Sequence, residues 1–232
     1  MSARNPVFCA LDVNDLAKAS ELALALKGHV FGFKLGLEFF LAQGIAGYKN
    51  IAETGAPIFL DLKLHDIPNT VAGAVASVLP LAPAFLTVHT AGGAAMMRAA
   101  ADAAVKAGKA RPKLLGVTVL TSLDAKDLAA VGQDQNTGNQ VLRLAKLAKE
   151  NGLDGIVCSP EEVKRLRAAL GPDFILMVPG IRPAWAAAND QKRVMTPKEA
   201  VDAGASYLVI GRPITGVDQP ADAADRIKTE LA

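Results

Sequence analysis

Short apolar runs alternate along the chain with longer stretches in which apolar positions recur every three or four residues. The short runs fall at residues 7–11, 31–34, 57–60, 85–88, 114–120, 155–158, 174–178 and 207–210, and their length and composition predict eight buried strands. The helical patterns fall at 15–27, 38–54, 68–78, 94–107, 140–151, 160–169, 197–203 and 221–231. Strand–helix units repeated in this way predict an α/β fold, a (β/α)8 TIM barrel with a parallel sheet. Two helix starts support the pattern. Ser159-Pro160-Glu161-Glu162 and Thr196-Pro197-Lys198-Glu199 each read as a capping box with proline at the first helical position. No linker, low-complexity tract or repeat divides the chain, so residues 1–232 are read as one domain.

Two connections are long for a barrel: 121–139 after the fifth strand and 179–195 after the seventh. Both begin at the C-terminal ends of strands, the face on which barrel enzymes build their sites, and are candidate lids or else tolerated surface insertions.

Composition narrows the classes. The formal net charge is +2, without a basic tract or aromatic-basic interleaving, so nothing points to nucleic acid or a membrane surface. Cys9 and Cys158, the only cysteines, both lie in apolar runs and read as buried thiols in a reducing compartment. Two cysteines and three scattered histidines make a poor zinc set. With no apolar run of membrane-spanning length and no signal-peptide layout at the start, a cytoplasmic location is expected.

The chemistry concentrates in Asp61-Leu62-Lys63-Leu64-His65-Asp66-Ile67-Pro68-Asn69, where an apolar strand gives way to a helix opened by Pro68. Asp61 and Lys63, two apart at a strand end, share a face. A lone D-x-K is more often a surface ion pair. A barrel, however, gathers the C-terminal ends of all its strands around one opening. There Asp12 follows the first strand, Lys34 ends the second, and Gly211-Arg212 follow the eighth, the usual place for phosphate. Lys34, Asp61 and Lys63 then form an alternating row of charges in which each ammonium offsets its neighbouring carboxylate, an arrangement expected to hold Lys63 protonated.

This stretch resembles the signature of the orotidine 5′-phosphate decarboxylase family, in its bacterial form. Further segments match in the family's order: Ala10-Leu11-Asp12-Val13, Phe33-Lys34-Leu35-Gly36, Gly116-Val117-Thr118-Val119-Leu120-Thr121-Ser122, Val178-Pro179-Gly180-Ile181-Arg182-Pro183 and Val209-Ile210-Gly211-Arg212-Pro213-Ile214-Thr215. The resemblance implies a homodimer of barrels that converts orotidine 5′-monophosphate to uridine 5′-monophosphate and carbon dioxide, with no metal and no organic cofactor. It implies Lys63 as the acid that protonates C6, Asp61 beside the substrate carboxylate, and Asp66 donated across the interface. Lys34 and Asp12 would bind the ribose hydroxyls and brace the row, with Thr70 reaching the ribose from the partner. Thr121 and Ser122 would lie near the pyrimidine. Arg182, Gln191, Gly211 and Arg212 would hold the phosphate. His65 and His89 are read as structural or interface residues, because the chemistry already has its proton donor.

The nearest rival is a phosphosugar enzyme of the same superfamily, a 3-keto-gulonate 6-phosphate decarboxylase or a hexulose 6-phosphate synthase. These resemble this chain in D-x-K-x-x-D but hold magnesium with a carboxylate at the second strand's end, where this chain has Lys34, a poor ligand for a dication. A catalytically silent barrel serving as a scaffold is the third reading; retention of both lysines, all three acids and Arg212 argues against it.

Overall fold

The computed structural model describes residues 5–186 and 195–231, and over these the eight expected strands close into one parallel barrel in the order β1 to β8. The strands are β1 Val7–Ala10, β2 Gly32–Gly36, β3 Ile58–Leu64, β4 Phe85–His89, β5 Lys113–Val117, β6 Gly155–Val157, β7 Ile175–Val178 and β8 Tyr207–Ile210. The ring closes where Phe8 of β1 pairs with Val209 of β8. Around it run α1 Leu16–Leu26, α2 Leu37–Ala52, α3 Pro68–Val78, α4 Gly93–Val105, α5 Ala125–Ala130, α6 Thr137–Glu150, α7 Val163–Leu170, α8 Pro197–Asp202, α9 Arg212–Thr215 and α10 Pro220–Glu230.

Alternation along each strand divides two apolar layers. Val7, Cys9, Phe33, Leu35, Leu60, Leu86, Ile156, Leu176, Leu208 and Ile210 pack outward under the helices. Phe8, Phe59, Phe85, Leu115 and Met177 fill the barrel's interior. Phe8 is the hub of that filling, edge-on to Phe31, Phe59, Phe85 and Tyr207 at centroid distances of 5.2, 5.9, 5.5 and 5.6 Å. Gly32, opposite Phe8, is required by this packing: a Cβ there would lie 2.7 Å from the Phe8 ring and 2.2 Å from the Pro57 carbonyl oxygen.

Both capping boxes are present. Ser159–Glu162 opens a 3-10 turn that runs into α7, and Thr196–Glu199 opens α8. Several sequence-based boundaries need correction, three of them near the barrel's mouth or its long connection. The fifth strand ends at Val117 rather than 120. The connection 121–139 carries a helix of its own, α5, whose box is closed by Asp124 and Asp127, and α6 begins at Thr137. The third strand runs past 60 to Leu64, with a bulge against β4.

Candidate active site

The C-terminal mouth of the barrel opens into a cavity of about 480 Å³, within the range of small-ligand sites. Its charged lining comes from four strand ends: Asp12 after β1, Lys34 in β2, Asp61 and Lys63 in β3, and Arg212 after β8, joined by Arg182 from the connection after β7. Lys34 Nζ donates to Asp12 Oδ1 at 2.6 Å, and Lys63 Nζ donates to Asp61 Oδ2 at 2.7 Å. Lys34 and Asp61 are 9 % and 8 % exposed. Burying charges to this degree is unfavourable unless each is paired, and the two ion pairs supply the pairing.

The backbone at Lys63 is not that of a regular strand. Its φ is 51°, in the left-handed region that side chains other than Gly, Asn and Asp rarely adopt. Leu60 pairs with Leu86 and Leu64 with Val88, so residues 61–63 stand against Thr87 alone. The Lys63 N–H donates to Thr87 Oγ1 at 2.8 Å, and the same hydroxyl donates to Asp61 Oδ1 at 2.9 Å. The simple two-residue periodicity that predicts a shared face for Asp61 and Lys63 therefore reaches the observed contact through a bulge.

Of the other expected site residues, Thr121, Gly211, Arg182 and Arg212 line the cavity, whereas Ser122, Asp66 and Thr70 are not among its lining residues. Asp66 is exposed, with Oδ1 accepting the Ile67 N–H at 2.7 Å, and Thr70 is exposed on the first turn of α3. Gln191 lies outside the described residues.

The sequence reading did not single out Gly180 or Thr215, nor the apolar wall formed by Ala10, Phe59, Val157, Pro179 and Val209. The inward phase of β1, β3, β6 and β8 is the signal that would have found most of that wall. Cys158 also lines the cavity, but burial pushes its thiol well above the usual range, and Glu162 pushes it further against the opposing pull of Arg167. It is therefore not a thiolate nucleophile. His89 stacks on His65 at 5.2 Å, and burial, then His65, then Lys63, lower its pKa. Among the described residues no group of three His, Cys, Asp or Glu side chains converges as a metal site, and no helix is long and apolar enough to cross a membrane.

Such a mouth can take an anionic ligand of nucleotide or sugar-phosphate size, with guanidinium groups on one side and an ion-paired ammonium on the other. Comparison with known proteins agrees. Residues 5–227 match the family model described as Orotidine 5'-phosphate decarboxylase / HUMPS family. The chain is 56 % identical over 231 residues to the orotidine 5'-phosphate decarboxylase of Paramagnetospirillum magneticum, covering 98 % of each chain. It is 54 % identical over 233 residues to that of Rhodospirillum rubrum, covering 98 % of this chain and 94 % of the relative. The crystal structure of the Lactobacillus acidophilus orotidine 5'-phosphate decarboxylase superposes with a TM-score of 0.85 at 41 % identity, covering 98 % of this chain and 99 % of that one.

Proposed function

The chain belongs to the orotidine 5'-phosphate decarboxylase / HUMPS family, and from that premise we propose that it decarboxylates orotidine 5′-monophosphate to uridine 5′-monophosphate in the cytoplasm, as a single-domain barrel and without metal or organic cofactor. The observation that carries this reading is the Lys63–Asp61 ion pair at 2.7 Å inside a cavity that Lys34 and Asp12 also line. The family description covers two chemistries, and Lys34 separates them. An ammonium donating to Asp12 stands where the magnesium-using branch would need a carboxylate.

In the proposed step the bond between C6 and the carboxylate breaks, carbon dioxide leaves, and the electron pair stays on C6. No adjacent group takes up that charge, so the protein must stabilise it. The Lys63 ammonium interacts more strongly as charge develops, which lowers the barrier rather than merely holding substrate. It then delivers a proton from Nζ to C6 and is reprotonated by solvent. Lys34 and Asp12 hold the ribose hydroxyls and brace the row, and Thr121, which lines the cavity, faces the pyrimidine. Arg212, Arg182, Gln191 and the Gly211 backbone take the phosphate, because guanidinium groups bind it bidentately. A Cβ at Gly211 would stand 3.5 Å from Ala10, an ordinary contact. Protein packing therefore does not demand glycine there, and its absence of side chain leaves room for a ligand.

The site is completed by a second copy. Asp66 and Thr70 stand on an exposed rim beside Ile67, a residue 66 % exposed, and none of the three lines the cavity of its own chain. In a two-fold homodimer that covers Ile67, Asp66 extends the partner's charge row and Thr70 reaches its ribose.

The test is the ultraviolet absorbance change of orotidine 5′-monophosphate mixed with purified protein and excess EDTA, with the product identified by mass. Rapid formation of uridine 5′-monophosphate is expected. No turnover by folded protein overturns the reading and directs the search to phosphosugars with added magnesium.

A further inference from the structure

We propose that Thr87 is a positioning residue for the decarboxylation, acting through Asp61 and the backbone of Lys63. The inference rests on the decarboxylase reading and adds to it a side chain outside the charge row. Thr87 is fully buried at the middle of β4, one turn of the pleat beyond Phe85 and pointing inward like it. A hydroxyl has one proton to give and lone pairs to accept with, and here both functions are spent on the reacting pair. The proton goes to Asp61 Oδ1, and a lone pair takes the Lys63 N–H.

Each bond fixes a different degree of freedom. With Oδ1 held by Thr87, the Asp61 carboxylate cannot rotate freely, and Oδ2 is left facing the Lys63 ammonium at 2.7 Å. With its N–H accepted, Lys63 is kept in the left-handed backbone that the bulge imposes, which in turn sets where its side chain leaves the strand. In a regular ladder that N–H would find a carbonyl on the neighbouring strand. The three-against-one register around Thr87 removes that option, and the hydroxyl replaces it. Asp61, Lys63 and Thr87 thus form a closed ring of three contacts, and the ammonium that must meet C6 is located by the two members that never receive or release the transferred proton.

Thr87→Val keeps the branched shape and deletes only the hydroxyl; Thr87→Ala removes the branched methyl as well; Thr87→Ser restores the hydroxyl. For the valine and alanine variants the expected result is a fall in kcat of about a hundredfold, the scale set by small misplacements of catalytic groups. KM and the affinity for uridine 5′-monophosphate should stay within about threefold of the parent, because the phosphate and ribose contacts lie elsewhere. Serine should return kcat to within about threefold of the parent. A purely structural role would lower the melting temperature while leaving turnover per folded molecule intact, and that outcome overturns the proposal. So does a loss confined to KM, or a serine variant as slow as alanine. If valine fails to fold, the alanine and serine pair decides by the same criteria. Failure of the parent protein to turn over orotidine 5′-monophosphate strikes the decarboxylase reading itself and this inference with it; an active parent with undiminished variants strikes this inference alone.

Discussion

The floor and the mouth of the barrel are built by the same strands, two residues apart, and they do opposite things. Phe59 and Asp61 both point inward from β3, as do Phe85 and Thr87 from β4 and Phe8 and Ala10 from β1. Toward the N-terminal ends the inward positions are aromatic and interlocked around Phe8. Toward the C-terminal ends they include the charged Asp61 and the hydroxyl of Thr87, and a bulge, a left-handed lysine and a stacked pair of histidines interrupt regular geometry. The floor stabilises the molecule without doing chemistry, and the mouth holds chemistry at an energetic cost that the floor offsets. If that division is real, substitutions at the two levels must fail in different ways.

The largest effect is expected at the mouth. In the proposed mechanism Lys63→Ala removes both the proton donor and the ammonium that meets the developing charge. Since each such contribution is commonly worth 10²-fold or more, kcat should fall by about 10⁴-fold, while the circular-dichroism spectrum and oligomeric state stay those of the parent. A near-parental rate would remove Lys63 from the mechanism. The same variant sharpens the comparison across subunits. Mixed with Asp66→Ala chains, which are also expected to be inactive, it should recover about a quarter of parental activity, the statistical share of intact sites in randomly exchanged two-fold dimers. No recovery after verified subunit exchange would show that Asp66 does not cross.

At the floor the expected sign is reversed. Phe8→Ala deletes a ring with no exposed surface and leaves a void that the barrel can only partly close. Denaturant unfolding should report a loss of about 3–5 kcal/mol, a large part of the roughly 5–15 kcal/mol typical of a domain. Activity per folded molecule should stay within about twofold at temperatures where the variant remains folded, the behaviour of a substitution that touches packing alone. A large fall in kcat without loss of stability would mean that the aromatic floor sets the geometry of the mouth, and the division would fail.

Legibility in the sequence follows the same division. The outward and inward phases of eight strands are hydrophobic signals with fixed periods, so the barrel and its order could be read from Val7 to Ile210. Charges at strand ends were legible because the fold gathers those ends, which is how Asp12, Lys34, Asp61, Lys63 and Arg212 come together in one cavity. The roles proposed for Asp66 and Thr70 come from family resemblance alone, since nothing local marks an exposed residue as one that a second copy would need. Thr87 was not legible. It sits in an apolar strand where a threonine reads as a β-branched filler, and the positioning role proposed for it depends on a register shift in the neighbouring strand. Helix α5 escaped because six residues carry too few apolar repeats to register as a period.

The smallest effect expected comes from His89, at the C-terminal end of β4. Among the described residues its Nδ1 is buried without a hydrogen-bond partner, its ring stacks on His65, and Lys63 stands near enough to repel a second cation. Burial first, and then those two neighbours, hold its pKa below the ordinary histidine value of 6.5, so the folded protein keeps the imidazole neutral where the unfolded chain would protonate it. The unfolded state therefore binds the additional proton first as pH falls, and stability must fall with it. The contribution is fully present above about pH 6.5, declines below that value, and levels off once pH drops beneath the lowered folded-state pKa. Urea midpoints measured at one protein concentration between pH 7.5 and 5 should decline for the parent and decline less for His89→Gln, which removes the titrating group. Equal slopes would mean that His89 titrates in the fold as it does in the open chain. The neighbouring cation would then impose no penalty at this position, and the cost of assembling the mouth would lie in the ion pairs and the bulge alone.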